Sequence, residues 1–435
     1  MTRMCTVMNV TLGDVIGKYR VEMGLSISDV ESATKITRLK RIENGTVGQP
    51  KLQTLDKLID FLEIPLEAVA EKYASKVNNK EVVMEMVRRV LPTMQKESLF
   101  NITNHYISIC SSATAGINEL SQLASETQEK TYASLLYSVL ATHAITYNKN
   151  NLLAEFLFYE YMFERDLDLT KSYYLGRRLL DNAHMLDEEK RIIAFYKVGV
   201  HARLLKRYDE SIDYLRTVVE DHSISSTSSY KEKAYPAFYT NLITVGRVEE
   251  GEHYLEEYAK TFNRYDSSSY IIDKATIYFK NQKTQKALSM LEKYMENFET
   301  HHNTIVAINL LLEIYIKTNQ FDKARDLYRF EDKFDLLIEK NNRMGPFNQM
   351  YFGLYLRLKG RVEFLLGGIH DAVEALLDSM EIFAGLGLKE EFLESMHLLH
   401  TLNLTHQTGK YASNSIIGIN AQYRITEYLH LISKK

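Results

Sequence analysis

The sequence predicts an all-α protein in two parts, a small N-terminal helical domain and a long array of helical hairpins, and three observations carry that expectation. Only five prolines (Pro50, Pro65, Pro92, Pro236, Pro346) occur in 435 residues, about a quarter of ordinary usage, and proline ends helices. Apolar residues recur at helical spacing along most of the chain, and no alternating run bounded by Gly and Pro clusters outcompetes a helical reading of the same residues. Beyond residue 200 a polar turn, an aromatic or apolar residue and, three positions on, a small residue recur with a period a little above 34, a length typical of helical repeats.

Composition narrows the classes. Hydrophobic residues make up 45% and charged residues 25%, as in an ordinary globular chain and unlike a disordered one. Lys and Arg total 53 against 57 Asp and Glu, a net charge of −4, so binding to nucleic acid has to come from a local patch and not from a global basic field. Cys5 and Cys110 are the only cysteines, too few for a disulfide framework or a Cys-based zinc site, which fits a reducing compartment. Residues 1–8 contain no apolar core leading to a small-residue cleavage site, so no signal peptide is expected. The most apolar window, Thr304–Ile316, is interrupted by Asn309 and Glu313 and falls short of the ~18 residues of a membrane span. A cytoplasmic protein with no membrane partner is expected.

The elements of the N-terminal part follow in order. Leu12, Val15, Ile16, Tyr19 and Met23 fall on one helical face that Gly24 terminates. Ser26 and Ser28 offer caps for a short helix around Asp29–Thr34, and Thr37 offers one for a third helix that carries Leu39 and Ile42 inward and ends at Asn44-Gly45. Leu52, Leu55, Leu58, Ile59 and Leu62 define a fourth helix, and Pro65 can open a fifth through Val69.

Three stretches carry a resemblance: Leu12-Gly-Asp-Val-Ile-Gly-Lys-Tyr-Arg-Val-Glu-Met-Gly-Leu-Ser26, Arg41-Ile-Glu-Asn-Gly45 and Leu55-Asp-Lys-Leu-Ile-Asp-Phe-Leu-Glu-Ile64. Together they resemble the phage-repressor-type (Cro/C1, or Xre) helix-turn-helix domain over residues 12–72. The resemblance implies that the third helix, about Thr37–Asn44, enters the major groove of a double-stranded DNA operator while neighbouring helix starts hold phosphates. Lys35, Thr37, Arg38, Lys40 and Arg41 would then be the DNA-binding residues. It also implies that Arg20 pairs with Glu43 for stability. The chain departs from the family pattern at two points: the stretch from Ser26 to Arg41 is at least a residue short, and Glu31 stands where a small apolar residue is common. Residues 1–76 hold 11 basic and 10 acidic side chains, so the cluster is basic only locally.

The stretch Ser75-Lys-Val-Asn-Asn-Lys80 marks a boundary, and residues 77–435 read as one repeat domain. Its clearest unit runs from Ile308 through Phe321 and Ala324 and has the tetratricopeptide pattern in degenerate form: a small residue lets two antiparallel helices approach, and an aromatic fills the space beside it. The turn recurs at Tyr208/Ser211, Val248/Gly251, Thr284/Ala287 and Ile369/Ala372, with a long insertion near 330–346 and a blurred pattern before 190. Such an array coils into a right-handed solenoid whose concave wall usually holds a peptide. With Ile308, Leu312 and Tyr315 toward the core, Asn309, Glu313, Ile316 and Lys317 fall on the neighbouring face. An Asn amide there can donate to and accept from an extended backbone at once. The equivalent positions are Tyr196, Val200 and Arg203, and Arg357, Arg361 and Phe364. Arg357 and Arg361, one turn apart, could clamp a carboxylate. The peptide-binding candidates are therefore Tyr196, Arg203, Asn309, Glu313, Lys317, Arg357 and Arg361.

No P-loop, dinucleotide fingerprint, His-Glu-x-x-His motif or nucleophile elbow is present, so no catalytic residue, cofactor or metal is expected and the protein is read as a non-enzyme. His301-His302 lacks accompanying ligand spacing, and Gly385-Leu-Gly387 reads as a helix C-terminal turn.

The joining of the two parts is similar to the peptide-sensing regulators of the Rgg, Rap, NprR, PlcR and PrgX superfamily, with the arbitrium receptors of phages as close architectural relatives. That resemblance implies a cytoplasmic homodimeric transcription regulator of the quorum-sensing type, switched by a short signalling peptide on the concave wall. Asn309 is the best match to the asparagines that hold peptide backbone in that group. The alternative is a repeat scaffold that grips a response regulator or another protein, with the N-terminal domain used for contact only.

Overall fold

The computed structural model describes residues 10–46, 49–93, 95–165, 168–221, 224, 228–296, 303–331, 346–408 and 419–434. Among these the chain is α-helical with short 3-10 turns and no strand, and it divides into two compact units, residues 1–164 and 165–435. Neither Cys5, His301-His302 nor the insertion within 332–345 lies in the described residues.

The first unit opens with α1 (Leu12–Glu22), α2 (Ile27–Thr34), α3 (Leu39–Glu43), α4 (Leu52–Phe61) and α5 (Leu66–Ala74). Thr11 and Ser26 cap α1 and α2, and each forms a reciprocal capping box with the acid three residues on, Asp14 or Asp29. Val15, Ile16, Val30, Leu39, Ile42, Leu55, Leu58, Leu62 and Val69 are buried, so the periodicity of the sequence is the periodicity of the core. Met23, grouped with them by spacing, is 44% exposed, because α1 has already ended at Glu22. Gly24 and Gly45 have φ of +69° and +64°, the left-handed turn that ends a helix at low cost only for glycine.

Five more helices complete this unit: α6 (Lys80–Val90), α7 (Lys96–Ile109), α8 (Ala113–Glu126), α9 (Lys130–Thr146) and α10 (Asn150–Glu164). Thus the helix-turn-helix region and the helices that follow it share one compact unit. The α9–α10 turn repeats a device seen throughout the second unit, although the sequence pattern blurs there.

The second unit comprises α11 (Leu169–Asp181), then the pairs α12 (Glu188–Leu204) with α13 (Tyr208–Val219), α14 (Ser229–Thr244) with α15 (Val248–Phe262), α16 (Ser268–Lys280) with α17 (Thr284–Glu296), α18 (Asn303–Lys317) with α19 (Phe321–Asp326), α20 (Pro346–Leu366) with α21 (Ile369–Leu386), and finally α22 (Lys389–Thr408) and α23 (Ile419–Lys434). Every second helix of a pair begins at the residue that marks the repeat, Tyr208, Val248, Thr284, Phe321 or Ile369. The small residues three positions on, Ser211, Gly251, Ala287, Ala324 and Ala372, are all buried. Their role is close approach. A Cβ on Gly251 would stand 2.6 Å from a side-chain carbon of Ile243, and Ser211 Oγ donates to the Gly199 carbonyl at 2.6 Å.

The turns share one backbone geometry. Lys206, Gly246, Gln282, Asn319 and Gly367 each sit two residues before the second helix with φ between +54° and +88°. The next amide in each case donates to a carbonyl five residues back, as Arg207 does to Ala202 at 2.9 Å and Gln320 to Tyr315 at 2.8 Å. This left-handed closure satisfies helix-end carbonyls and reverses the chain within three residues. Asn148 and Lys149 do the same between α9 and α10. Gly387, with φ +72°, caps α21 as the sequence predicts.

Candidate functional site

Two regions carry the predicted site residues, one in each unit. In the first, α2 ends at Thr34, whose hydroxyl donates to the Val30 carbonyl at 2.7 Å. The backbone then makes two left-handed residues, Lys35 (φ +57°) and Arg38 (φ +72°), before α3 starts. The expected Thr37 cap is not formed: Arg38 occupies the cap position, and no side chain at that position caps the helix. Glu31 does so from the preceding helix, its Oε1 accepting the Leu39 amide at 2.7 Å. The two departures from the family pattern thus explain each other. A shortened turn brings α2 close enough for a carboxylate on it to satisfy an orphan amide of α3, and an apolar residue at position 31 could not do that.

Glu43 holds the other end of α3. Arg20 Nε donates to its Oε1 at 2.6 Å and Nη2 to its Oε2 at 3.0 Å, while Nη1 donates to the Leu25 carbonyl at 2.8 Å. The bidentate pair, largely enclosed at 14% and 11% side-chain exposure, raises the arginine pKa further, the hydrogen bonds to Glu43 outweighing burial. Lys35, Thr37, Arg38, Lys40 and Arg41 are all exposed. Among the described residues none of the four cationic side chains in this set has a hydrogen-bond or ion-pair partner.

In the second unit the first helices of the pairs present successive polar groups at one level. Arg203 of α12 donates from Nη1 to Thr240 Oγ1 of α14 at 2.6 Å. Tyr239 of α14 donates to Asp273 Oδ2 of α16 at 2.7 Å. Asn309 of α18 donates from Nδ2 to the Tyr351 carbonyl of α20 at 3.0 Å, and Arg203 Nη2 lies 3.4 Å from the Tyr351 hydroxyl. Five helices therefore contribute to one belt, linked α12 to α14 to α16 on one side and α18 to α20 to α12 on the other. Enclosure lifts the Asp273 carboxyl to about 6, opposed by the Tyr239 hydrogen bond and by Arg203. Sequence spacing put Asn309 on the wall with both amide faces available. Here it is 7% exposed, its donor is committed to Tyr351, and its Oδ1 is buried with no hydrogen-bond partner.

One to two turns further along, Glu313 and Lys317 of α18 are exposed. The protein encloses the Glu313 carboxyl from its flanks while water still reaches it; that enclosure raises its pKa, and Lys280, Arg357 and Arg361 oppose the rise. Lys317 lies over the Phe279 ring at 4.8 Å. Tyr196 is half-buried and packs edge-on against Tyr230 at 5.7 Å, so it belongs in part to the core.

Arg357 requires a correction. Its guanidinium is occupied by Glu391 at 2.7 Å and Glu394 at 3.1 Å, both on α22, and a clamp made of Arg357 and Arg361 together is not poised. Arg361 is exposed and carries no hydrogen bond among the described residues. Lys280, also exposed and without a hydrogen bond or ion pair among the described residues, acts on Glu313 more than either arginine does. Lys280 was missed because α16 lacks the aromatic-and-small signature at its own start. Its position one repeat before Glu313 was the available signal.

No group of three or more His, Cys, Asp or Glu residues that could hold a metal occurs among the described residues, and no helix among them is long and apolar enough to cross a membrane. Residues 16–69 match the family described as Helix-turn-helix. No curated protein matches the sequence. Among solved structures the chain is similar to a Rap protein complexed with Competence and Sporulation Factor, at 12% identity over 82% of this chain and 98% of that one, TM-score 0.43. It is similar to the Rap conjugation gene regulator of plasmid pLS20 in complex with the Phr* peptide, at 11% identity over 97% and 95%, TM-score 0.43. PlcR of Bacillus thuringiensis in complex with the peptide PapR7 and DNA is similar at 16% identity over 77% and 100%, TM-score 0.24.

Proposed function

We propose that this helix-turn-helix chain is a cytoplasmic transcription regulator of the peptide-sensing Rgg, Rap, NprR, PlcR and PrgX type, one that binds an operator as a homodimer and is switched by a short signalling peptide. The observation that carries the DNA half is the contrast around α3. Arg20 is spent on holding Glu43, whereas Lys35, Arg38, Lys40 and Arg41 stand exposed and unpaired on a rigid, capped turn and helix. Exposed cations without a protein partner are what phosphate and base edges need, and Thr37 lies among them. Residues 1–76 would read DNA, and 77–435 would bind peptide and dimerise. A symmetric dimer would present two copies of α3 to half-sites about 34 Å apart or a multiple of it.

The peptide half rests on the inner belt of the second unit. Asn309 offers a buried, unsatisfied carbonyl oxygen, Asp273 and Glu313 offer acceptors, and Arg203, Lys280, Lys317 and Arg361 offer donors. Hydrogen-bonding groups on the first helices of several pairs suit an extended peptide, whose backbone needs donors and acceptors at regular spacing. Tyr196 would border this track, and Arg357 would join it only after releasing Glu391 and Glu394. Peptide binding would shift the protein between two curvatures of the array, with a coupling of about 1–3 kcal/mol to DNA affinity. The regulator would work without catalysis.

Capture of sheared genomic DNA by the purified full chain tests the reading, wild type against Arg38→Ala/Lys40→Ala. Discrete retained loci that disappear in the variant are expected. No enrichment in either protein, at low and moderate salt and with a random hexapeptide pool present, would favour the scaffold alternative.

A further inference from the structure

The repeats of the second unit pack on one another along whole helices, with one exception. The C-terminal end of α12 also meets the corner between α21 and α22, and there the contact is made by side chains. Lys206 Nζ lies 2.8 Å from Glu391 Oε1 and 2.6 Å from Glu394 Oε1. From the other side Arg357 holds the same two carboxylates at 2.7 Å and 3.1 Å, so two cations and two anions form one closed network. Leu204 is buried in the same apolar cluster as Leu388 and Phe392. Beside them is a cavity of about 290 Å³ bordered by Leu205, Arg207, Gly387 and Lys389. The cavity opens to solvent, so water reaches the edge of the seam.

The residue at the centre of the network sits in an unusual conformation. Lys206 has φ +56°, at the turn position that is Gly246 and Gly367 in two sister repeats. A lysine there costs more than a glycine; in return its ammonium reaches across the seam, where burial opposes its charge but Glu391 and Glu394 more than restore it. The first and last parts of the unit are thereby tied across 188 residues of sequence.

We propose that Lys206 is the bolt of a releasable clasp, which joins α12 to α22 through Glu391 and Glu394 and keeps the inner belt closed until a ligand or a change in charge releases it. Arg357 connects the clasp to the belt, because it holds the two carboxylates from α20, the helix whose Tyr351 carbonyl accepts the Asn309 amide. The weak Arg203 contact to Tyr351, 3.4 Å, is a further polar link across the same opening. Opening therefore breaks these side-chain bonds and takes Leu204 out of the apolar cluster it shares with Leu388 and Phe392. That the released belt admits a peptide rests on the function proposed above; the clasp itself does not.

The test uses the full chain with Cys5 and Cys110 replaced by serine and spin labels at Asp213→Cys and His397→Cys, both exposed positions flanking the seam. Pulsed electron resonance gives the distance distribution with Lys206 intact and in Lys206→Gln and Lys206→Glu. A single short distance is expected in the intact protein at low salt. A longer population should appear in Lys206→Gln, dominate in Lys206→Glu, and grow in the intact protein near 1 M salt, where the screening length falls to about 3 Å. The same single distance in all three proteins and at both salt concentrations would overturn the clasp; if a variant does not fold, the salt arm on the intact protein decides. A random hexapeptide library is then passed over intact and Lys206→Gln protein. Retention by neither refutes the peptide reading and leaves the distance result standing, whereas retention that is faster in Lys206→Gln joins the two.

Discussion

Replacing Arg20 by methionine should unfold the first unit more readily without removing any group proposed to touch DNA. Arg20 makes two hydrogen bonds to Glu43 and one to the Leu25 carbonyl, and the pair retains only 14% and 11% side-chain exposure. Taking away one member of a buried pair costs about 3–5 kcal/mol, because the other charge is left desolvated. Water can still reach the edges here, so the lower end, about 3 kcal/mol, is expected. With a urea slope of about 1–3 kcal/mol per molar, the midpoint falls by about 1–3 M. Arg20→Met/Glu43→Leu should recover most of this, since no charge is then stranded, and should still lack about 1 kcal/mol for the unpaired Leu25 carbonyl. Urea unfolding followed by circular dichroism and by amide exchange in α3 makes the comparison. A single variant within 0.5 kcal/mol of wild type, or a double variant no better than the single one, would refute a coupled, desolvated pair.

Gly13→Ala should destabilise the same unit more than Gly24→Ala, because a Cβ at 13 would stand 2.1 Å from the Glu43 carbonyl oxygen while nothing lies within 4 Å at 24; only the strain of φ +69° acts at 24, and urea midpoints rank the two. His143 is fully buried with Nε2 on Thr103 Oγ1 at 2.8 Å, and burial pushes its pKa down to about 4. A depressed histidine contributes stability that is complete above pH 6.5 and lost as pH falls toward 4, up to about 3 kcal/mol; midpoints at pH 7.5 and 4.5 should show this, and His143→Gln should flatten it. Asp273 has the opposite sign: its folded pKa of about 6 means that stability falls as pH rises from about 4 to 6. Asp273→Asn, which keeps an acceptor for Tyr239, should therefore be more stable than wild type at pH 7, and equal stability of the two proteins at pH 7 would show that the carboxylate bears no burial penalty. Glu31→Ala should weaken retention of the captured operator DNA and lower stability by about 1 kcal/mol through loss of the α3 cap, whereas Glu31→Gln, which can still accept the Leu39 amide, should restore operator retention.

The helical class, the five small helices, the core at Val15, Ile16, Leu39, Ile42, Leu55 and Leu58, and the starts of α13, α15, α17, α19 and α21 were legible in the sequence. They follow from spacing within a dozen residues, from caps and from the left-handed turn residues, all of them local. The Arg20–Glu43 pair was legible through resemblance alone. Cap chemistry misled at Thr37, because the amide that needed a partner found one eight residues upstream, on a different helix, at Glu31.

On the wall the same limit operates with larger consequences. Spacing placed Asn309, Glu313, Lys317 and Arg361 on one face, but it could not tell that the Asn309 amide is half committed to Tyr351, that Lys280 also acts on Glu313, or that Arg357 is held by Glu391 and Glu394. The sequence by itself determined the helices, their pairing and which faces are apolar, since these depend on neighbours three to seven residues away. Only the tertiary structure decided which charges are free, because Lys206, Arg357, Glu391 and Glu394 meet where the chain returns to itself, and a charge is spent or available according to what lies across space and not along the chain.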